Sequence, residues 1–268
     1  MSSHHGTPVR VFCDPHTYDL DLKRIEKAIT PRTRGIIINS PNNPTGRIYP
    51  PETLIGLSEI LDHTSRRNGR PIYLLSDESY NRIVFDGRRF PSPAVYYPNT
   101  FILYTYGKTL LAPGQRLGYI ALPPTMPRRE QIRPAIFVTQ AATGYAFPDA
   151  VLQYALADLE NLSIDVGRLQ ARRDRLAAAL RDQGYEVIIP EGTFYLLVRS
   201  PLPDDWEFAS ALTRRNVLVM PGSILEMPGY FRISLTANDD MVERSLPVFA
   251  EAIESVASVP RFSSSAHS

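Results

Sequence analysis

Short apolar runs alternate with amphipathic stretches over the first half of the chain. The run Gly35–Asn39 is almost entirely apolar and β-branched, as expected of a strand that is buried on both faces of a parallel sheet. Helical spacing of apolar residues predicts helices at Leu22–Ile29 and Glu52–Arg67. The predicted strands are Val9–Phe12, Gly35–Asn39, Ile72–Ser76, Phe101–Thr105 and Leu117–Leu122. This alternation predicts an α/β fold, in which a mostly parallel sheet is flanked by helices.

The second half has a different order of elements, typical of an α+β fold. Helices are predicted at Pro148–Asn161, Val166–Gln183, Asp205–Asn216 and Asp239–Val256, and strands at Tyr185–Ile189, Thr193–Arg199, Val217–Met220 and Phe231–Leu235. The change predicts a large domain over residues 1–163 and a smaller C-terminal domain over residues 164–258. Residues 259–268 are serine-rich and are predicted to form a disordered tail.

The amino-acid composition limits which classes of partner the protein is expected to bind and where in the cell it is expected to lie. The 268 residues include 29 Lys and Arg against 28 Asp and Glu, and this balance argues against nucleic acid or a membrane surface as a partner. The single cysteine, Cys13, excludes a disulfide framework and a multi-cysteine metal site. His4 and His5 are interpreted as part of a solvated terminus, so no metal site is predicted. No apolar run reaches the roughly 20 residues of a membrane span and no signal-like segment is seen, which predicts a cytoplasmic protein.

Three predicted strands are each followed by residues whose side chains could take part in catalysis or ligand binding. After the strand at Gly35–Asn39 comes Ser40–Gly46, in which two prolines and a glycine stiffen a turn around Asn43. An asparagine at a strand end can donate a hydrogen bond to a ring oxygen without adding charge. The alternative is an ordinary loop rich in Pro, Asn and Gly.

The segment Ser76–Tyr80 follows the next strand. Asp77 is expected to emerge from the sheet into a poorly hydrated place, where a carboxylate needs a cationic partner to stay ionised. A protonated pyridine nitrogen would be such a partner, and the Tyr80 hydroxyl could reach a neighbouring phenolic oxygen. The alternative is that Asp77 caps a following helix.

The third segment, Thr105–Tyr119, follows the strand at Phe101–Thr105. A lysine such as Lys108, close to other cationic groups, can lose its proton and attack a carbonyl carbon. Arg116 offers a planar fork that suits a phosphate or carboxylate, and Thr105 adds a hydroxyl. The alternative is that Lys108 is a solvated surface residue.

In this order the motifs resemble those of the class I/II aminotransferases, which are fold type I pyridoxal-phosphate enzymes. The family pattern Pro-Asn-Asn-Pro-Thr-Gly, then Asp-Glu-x-Tyr, then Lys-x4-Pro-Gly-x-Arg-x-Gly-Tyr is matched at Pro41–Gly46, Asp77–Tyr80 and Lys108–Tyr119. A fourth element, Phe231–Ser234, resembles the C-terminal Arg-x-Ser strand of the family. The resemblance covers nearly the whole chain and implies the incomplete large domain and the small domain of that fold.

The resemblance also implies a reaction. Lys108 would form an aldimine with pyridoxal 5'-phosphate and move a proton during transfer of an amino group between an amino acid and a 2-oxo acid. Arg232 would bind the substrate α-carboxylate, with Asn43 also placed at the substrate. The alternative for Arg232 is a surface ion pair.

The remaining site residues are implied to bind the cofactor. Asp77 would pair with the pyridinium nitrogen, while Asn43 and Tyr80 would both bond the phenolic oxygen. Thr105 and Arg116 would hold the phosphate, although a glycine stands immediately before the lysine where many members carry a serine.

Family members run considerably longer at the N-terminus, so the chain is expected to lack the N-terminal part. It is then either a fragment or a chain that works with a separate N-terminal polypeptide, and a homodimer is implied by the resemblance. Side-chain selectivity is expected to reside in the missing part and in loops such as Phe137–Phe147, where Tyr145 and Phe147 either line an apolar pocket or belong to the core.

Two alternatives to an aminotransferase stay open at this point. One is another fold type I enzyme, such as a lyase, cyclase or decarboxylase, of which the decarboxylase is disfavoured by Arg232. The other is a catalytically inactive fragment or partner subunit that keeps site residues it cannot use.

Overall fold

The computed structural model describes residues 6–145 and 147–257. Within these residues the chain forms two compact units. The first comprises the chain up to Asn43, then Arg47–Ile164 and Glu191–Thr193; the second comprises Pro44–Gly46, Asp165–Pro190 and the chain from Phe194 onward. The predicted tail over residues 259–268, together with His4 and His5, lies outside the described residues. No helix in the described ranges is long and apolar enough to cross a membrane.

The first unit contains a four-stranded sheet in the order β1-β2-β3-β4. Its strands are β1 (Gly35–Asn39), β2 (Tyr73–Asp77), β3 (Thr100–Thr105) and β4 (Gly118–Ala121). The first three strands are parallel to one another, and β4 is antiparallel to β3. The mostly parallel sheet predicted from the sequence is therefore confirmed.

Six helices accompany this sheet in the described part of the first unit. They are α1 (Leu22–Ala28), α2 (Pro51–Arg67), α3 (Tyr106–Thr109), α4 (Arg129–Thr143), α5 (Ala150–Tyr154) and α6 (Leu156–Leu159). Helix α2 begins with a proline, whose fixed φ suits the first helical position, and its buried face presents Leu54, Leu57 and Leu61. These leucines pack with Ile38 of β1 and Leu74 of β2 in one apolar core.

Three predictions for the first unit are wrong. Val9–Phe12 forms no strand, and Val9 and Phe12 are exposed, because no described strand pairs with this segment. Residues 148–161 form the two short helices α5 and α6 instead of one helix. Part of the supposed loop Phe137–Phe147 belongs to α4, which contains Pro134 and has no buried residue.

The second unit has an antiparallel sheet in the order β5-β6-β8-β7 and three long helices. The strands are β5 (Val187–Ile188), β6 (Tyr195–Arg199), β7 (Met220–Pro221) and β8 (Tyr230–Ser234); the helices are α7 (Val166–Asp182), α8 (Asp205–Thr213) and α9 (Asp239–Ala257). Phe231 on β8 is fully buried with Phe208 and Phe249, whose rings lie 5.1 and 6.2 Å from it. The predicted α+β character of this part is confirmed.

Candidate active site

The carboxyl ends of β1, β2 and β3 lie side by side at one edge of the first sheet. Asn39 is paired in register with Asp77, and Asp77 with Leu103, so the three strands end at nearly the same level. Open α/β sheets bind their ligands at such an edge. Asn43, Asp77 and Lys108 all follow or close these strands, and the structure therefore places the three predicted motifs at a common edge.

Asn39, which the sequence analysis did not single out, joins two of these motifs. Its side-chain amide donates a hydrogen bond to the Asp77 carbonyl oxygen at 3.0 Å. Its side-chain oxygen accepts a hydrogen bond from the Asn43 backbone N–H at 2.8 Å. One amide thus fixes the turn that carries Asn43 against the strand end that carries Asp77. Its position as the last residue of a predicted strand was the only signal in the sequence.

Asp77 is half-buried and accepts two hydrogen bonds on one oxygen. The backbone N–H and the hydroxyl of Ser79 donate to Oδ1 at 3.1 and 2.5 Å. No helix follows β2 directly, so the alternative that Asp77 caps a helix is wrong. The second carboxylate oxygen meets no donor among the described residues and is free to accept one from a ligand.

The neighbouring carboxyl, that of Glu78, is buried and belongs to the interior. It accepts hydrogen bonds from the hydroxyls of Ser76 at 3.1 Å and Ser92 at 2.6 Å. Burial raises the pKa of Glu78, and the bonds from the two serines only partly oppose this rise. Glu78 and Asp77 therefore have different environments, although they are adjacent in sequence.

Lys108 lies in α3, the single helical turn that follows β3. Thr105 caps this turn, because its hydroxyl accepts from the Gly107 N–H at 3.4 Å and donates to the Leu117 carbonyl at 3.2 Å. The Lys108 Nζ lies 5.7 Å from the centroid of the Tyr80 ring, which is itself buried. The structure thus brings the predicted nucleophile and the predicted phenol together.

Gly107 lies close to the loop that leads to Arg116. A Cβ atom at this position would lie 3.3 Å from the Ala112 carbonyl oxygen, which is tighter than ordinary van der Waals contact. The glycine that replaces the serine of many family members therefore suits this close approach. Arg116 is exposed and donates to the Pro113 carbonyl at 3.0 Å, within its own loop.

A network of polar side chains around Glu160, also missed by the sequence analysis, contacts the helical turn that carries Lys108. The Tyr106 hydroxyl donates to the Glu160 carboxylate at 2.6 Å, and Arg82 forms an ion pair with the same carboxylate. The bond from Tyr106 and the pair with Arg82 lower the pKa of Glu160, whereas burial and the carboxylate raise the pKa of Tyr106. Tyr106 and Glu160 are 54 positions apart, so no local pattern could have linked them.

Arg232 belongs to the second unit, where it lies on β8. Its guanidinium carbon is 3.8 Å from the centroid of the Tyr195 ring on the neighbouring strand β6. This distance is typical of a cation–π contact. Its role toward a substrate carboxylate stays a prediction.

The donor set at the sheet edge fits pyridoxal phosphate by its chemistry. Asp77 keeps a carboxylate oxygen for a protonated ring nitrogen, and Lys108 has an amine for an aldehyde. Tyr80 provides a phenol beside that amine, and Thr105 provides a hydroxyl at the start of α3. By contrast, no group of three or more metal-binding side chains occurs in the part of the chain that the structure describes.

Comparison with known proteins decides the family. The family described as aminotransferase class I and II matches residues 2–249. The chain belongs to the class I and II aminotransferases. The resemblance inferred from the four motifs is therefore confirmed.

Two similar members of this aminotransferase family come from Thermus species. A probable aspartate/prephenate aminotransferase of Thermus aquaticus is 33% identical over 262 residues, which cover 93% of this chain and 64% of that protein. The aspartate/prephenate aminotransferase of Thermus thermophilus is 32% identical, over 87% of this chain and 60% of that protein. The chain thus spans less than two thirds of the length of these relatives.

Solved aminotransferase structures share the fold. The crystal structure of an aminotransferase from Eubacterium rectale has a TM-score of 0.86 and 33% identity, over 92% of this chain and 62% of that chain. The structure of Thermus thermophilus aspartate aminotransferase with maleate has a TM-score of 0.73 and 29% identity, over 90% of this chain and 62% of that chain. Both identities are high enough for the likeness to concern the family as well as the fold.

Proposed function

We propose that this chain carries the catalytic lysine and the cofactor-binding edge of a pyridoxal-phosphate-dependent aminotransferase. The observation that supports this most directly is the position of the Lys108 amine, 5.7 Å from the Tyr80 ring at the edge where Asp77 ends β2. The reaction moves an amino group between an amino acid and a 2-oxo acid. Membership of the family and the names of the relatives support the same reaction.

Each residue at the edge has a task that its chemistry suits. When bound, pyridoxal phosphate withdraws electrons from the substrate α-carbon. Asp77 would hold the proton on the ring nitrogen through its second carboxylate oxygen, and Tyr80 and Asn43 would hydrogen-bond the phenolic oxygen. Lys108 would attach the cofactor and, once its amine is free, would move a proton between the substrate α-carbon and C4′ of the cofactor, which is the proton transfer that amino transfer requires.

The phosphate and the substrate carboxylate need cationic or hydroxyl partners. Thr105 would donate its hydroxyl to the phosphate in place of the Leu117 carbonyl, and Arg116 would pair with the phosphate in place of the Pro113 carbonyl. Arg232 binds the substrate α-carboxylate through its planar fork, which fixes the orientation of the α-carbon. A homodimer is the assembly we propose for the whole enzyme, as the family resemblance implies.

Aspartate is the first amino donor to test. Two similar relatives carry names that join aspartate with prephenate, and a solved neighbour holds the dicarboxylate maleate. A dicarboxylate donor, with 2-oxoglutarate as the acceptor, is therefore the substrate pair that we propose for the first assay.

The decisive experiment exploits the scarcity of lysine in this chain. Only three lysines occur, and Lys23 and Lys27 are both exposed on α1, which makes them internal controls. The purified chain is mixed with pyridoxal phosphate, reduced with borohydride and mapped by peptide mass spectrometry. We expect the adduct on Lys108 at cofactor concentrations that leave the two control lysines unmodified.

A variant and a substrate assay complete the test. Lys108→Ala should lose the saturable adduct, whereas Lys23→Ala should keep it. Adding aspartate to the loaded chain should then convert the bound cofactor to its amine form, with release of the 2-oxo acid. An adduct spread evenly over all three lysines would overturn the proposed function.

A further inference from the structure

Glu160 contacts both segments that carry the lysine and the phenol of the candidate site. On one side, the Tyr106 hydroxyl donates to its carboxylate at 2.6 Å, and Tyr106 lies two residues before Lys108. On the other side, Arg82 lies two residues after Tyr80. Its guanidinium donates to the Glu160 carbonyl oxygen at 2.9 Å and pairs with the carboxylate.

Arg82 also reaches the far end of the lysine turn through an aromatic ring. Its guanidinium carbon lies 5.3 Å from the centroid of the Tyr104 ring, a cation–π distance. The Tyr104 hydroxyl shares a 2.6 Å hydrogen bond with the buried hydroxyl of Thr109, the residue after Lys108. The residues on both sides of Lys108 in α3 are thus connected to Arg82 and Glu160.

The lysine turn needs such external support. Helix α3 has only four residues, and a single helical turn is not stable by itself, because nucleation costs more than one or two hydrogen bonds return. The side chains that flank Lys108 therefore help to set its position relative to Tyr80, together with the backbone hydrogen bonds that Tyr106 and Thr109 make to Leu117 and Ile164. The hydrogen bond of the Tyr106 side chain to Glu160 leads back to the Tyr80 loop, because Glu160 pairs with Arg82.

We propose that Glu160 is a positioning residue, which sets the reactive amine of Lys108 against Tyr80 by joining the lysine turn to the Tyr80 loop. This inference rests on the proposed function, and it concerns a residue outside all four sequence motifs. Glu160 acts through Tyr106 and Arg82 and does not itself contact the Lys108 amine.

The test breaks the Tyr106–Glu160 hydrogen bond by substituting either partner, and it measures the reactivity of the Lys108 amine directly. The variants are Glu160→Ala, Tyr106→Phe and the combination of the two, with Glu59→Ala as the control because Glu59 is exposed on α2. Tyr106→Phe keeps the ring and removes only the donor, so it also serves if Glu160→Ala does not fold. Thermal melts establish that each variant is folded.

The first readout needs no cofactor. The chain is treated with a trace amount of an amine-reactive ester, and the modification of Lys108 is measured relative to Lys23 and Lys27. We expect the relative reactivity of Lys108 to change about threefold to tenfold in Glu160→Ala, the range that corresponds to losing one or two hydrogen bonds. Glu59→Ala should leave the ratio unchanged.

The second readout is the borohydride-trapped adduct at limiting pyridoxal phosphate. Glu160→Ala and Tyr106→Phe should each lower the share of adduct on Lys108 by a similar factor. The double variant should add little to either, because both changes break the same bond. A merely structural role would lower the melting temperature without this shared, Lys108-specific loss.

The outcomes separate this inference from the proposed function. If the unmodified chain forms no Lys108 adduct, the proposed function fails, and the cofactor-free ratio alone then decides whether Glu160 positions the amine. If the chain forms the adduct but folded Glu160→Ala and Tyr106→Phe match it within twofold in both readouts, the positioning role is overturned.

Discussion

Asn39 shows how one side chain determines local stability at the sheet edge. Its two hydrogen bonds, to the Asp77 carbonyl 38 positions away and from the Asn43 N–H four positions away, are partly buried. Each such bond contributes about 0.5–1.5 kcal/mol, so Asn39→Ala should lower the free energy of unfolding by about 1–3 kcal/mol in urea titrations. Asn161→Ala, at an exposed amide, should change it by about 0.5 kcal/mol or less. Equal effects of the two substitutions would contradict this reading.

Gly192 is a second single residue on which the edge depends. A Cβ atom there would lie 2.7 Å from the Ile83 carbonyl oxygen and 2.9 Å from the Pro41 ring, so the backbone would have to move. Gly192→Ala should therefore destabilise the protein by about 1–3 kcal/mol, as overpacking does. Gly114→Ala is the matched control, since nothing lies within 4 Å of a Cβ at that position. Thermal unfolding of both variants checks this, and a harmless Gly192→Ala would contradict it.

At the scale of elements, α7 and α9 of the second unit are joined by ion pairs. Arg168 and Arg172 both donate to the Asp239 carboxylate at 2.6 Å, and these bonds hold the pKa of Asp239 below its usual range. An acid with a depressed pKa stabilises the fold above its unfolded pKa, and this contribution is lost as the pH falls through the folded value. The pairs therefore stabilise the second unit at neutral pH.

Asp239→Asn should accordingly lower the unfolding midpoint at pH 7, and the deficit should shrink both at about pH 3 and in high salt. Asp240→Asn is the control, because the ion pair of Asp240 is with Arg244, one turn along the same helix. Melting curves across pH and salt measure the difference. A deficit that grows on acidification would contradict the assigned pairing.

Elements with a local signal could be predicted from the sequence. The apolar strand β1 and the amphipathic helix α2 were predicted nearly at their observed bounds, because the spacing of apolar residues within each segment indicates which positions are buried. Val9–Phe12 was predicted as a strand and is not one, because strand formation depends on a partner that the local pattern does not reveal. Helix α4 was not predicted, and it contains Pro134, a residue that normally marks the end of a helix in a sequence.

At the scale of the molecule, the parallel order of β1, β2 and β3 explains why motifs far apart in sequence meet at one edge. Asp77 and Lys108 were predictable because Asp77 lies at the end of one recognisable strand and Lys108 lies in the turn that follows the next. Asn39 and Glu160 were not, since their importance lies in bonds to residues whose proximity only the folded chain creates. Sequence patterns thus identified groups proposed to meet the cofactor, whereas the groups that hold them in place became visible only in the structure.

The buried carboxyl of Glu78 gives the whole molecule a pH dependence opposite to that of Asp239. Its pKa is raised by burial, so its contribution to stability is present below the unfolded pKa of about 4.3 and is lost as the pH rises through the folded value. Glu78→Gln removes the charge and keeps an acceptor for the Ser76 and Ser92 hydroxyls.

Glu78→Gln should therefore melt higher than the unmodified chain at pH 7, by about 2–4 °C for each kcal/mol of relieved burial cost. The difference should disappear on acidification to about pH 4, where both side chains are neutral in the folded state. Glu59→Gln, at an exposed position on α2, should show no such pH-dependent gain. The opposite outcome is a melting temperature of Glu78→Gln that falls below that of the unmodified chain at pH 7 but not at pH 4. In that case the carboxylate itself is the stabilising form. Glu78 would then need a cationic partner beyond the hydroxyls described for it, and measuring both pH values in one series distinguishes the two cases.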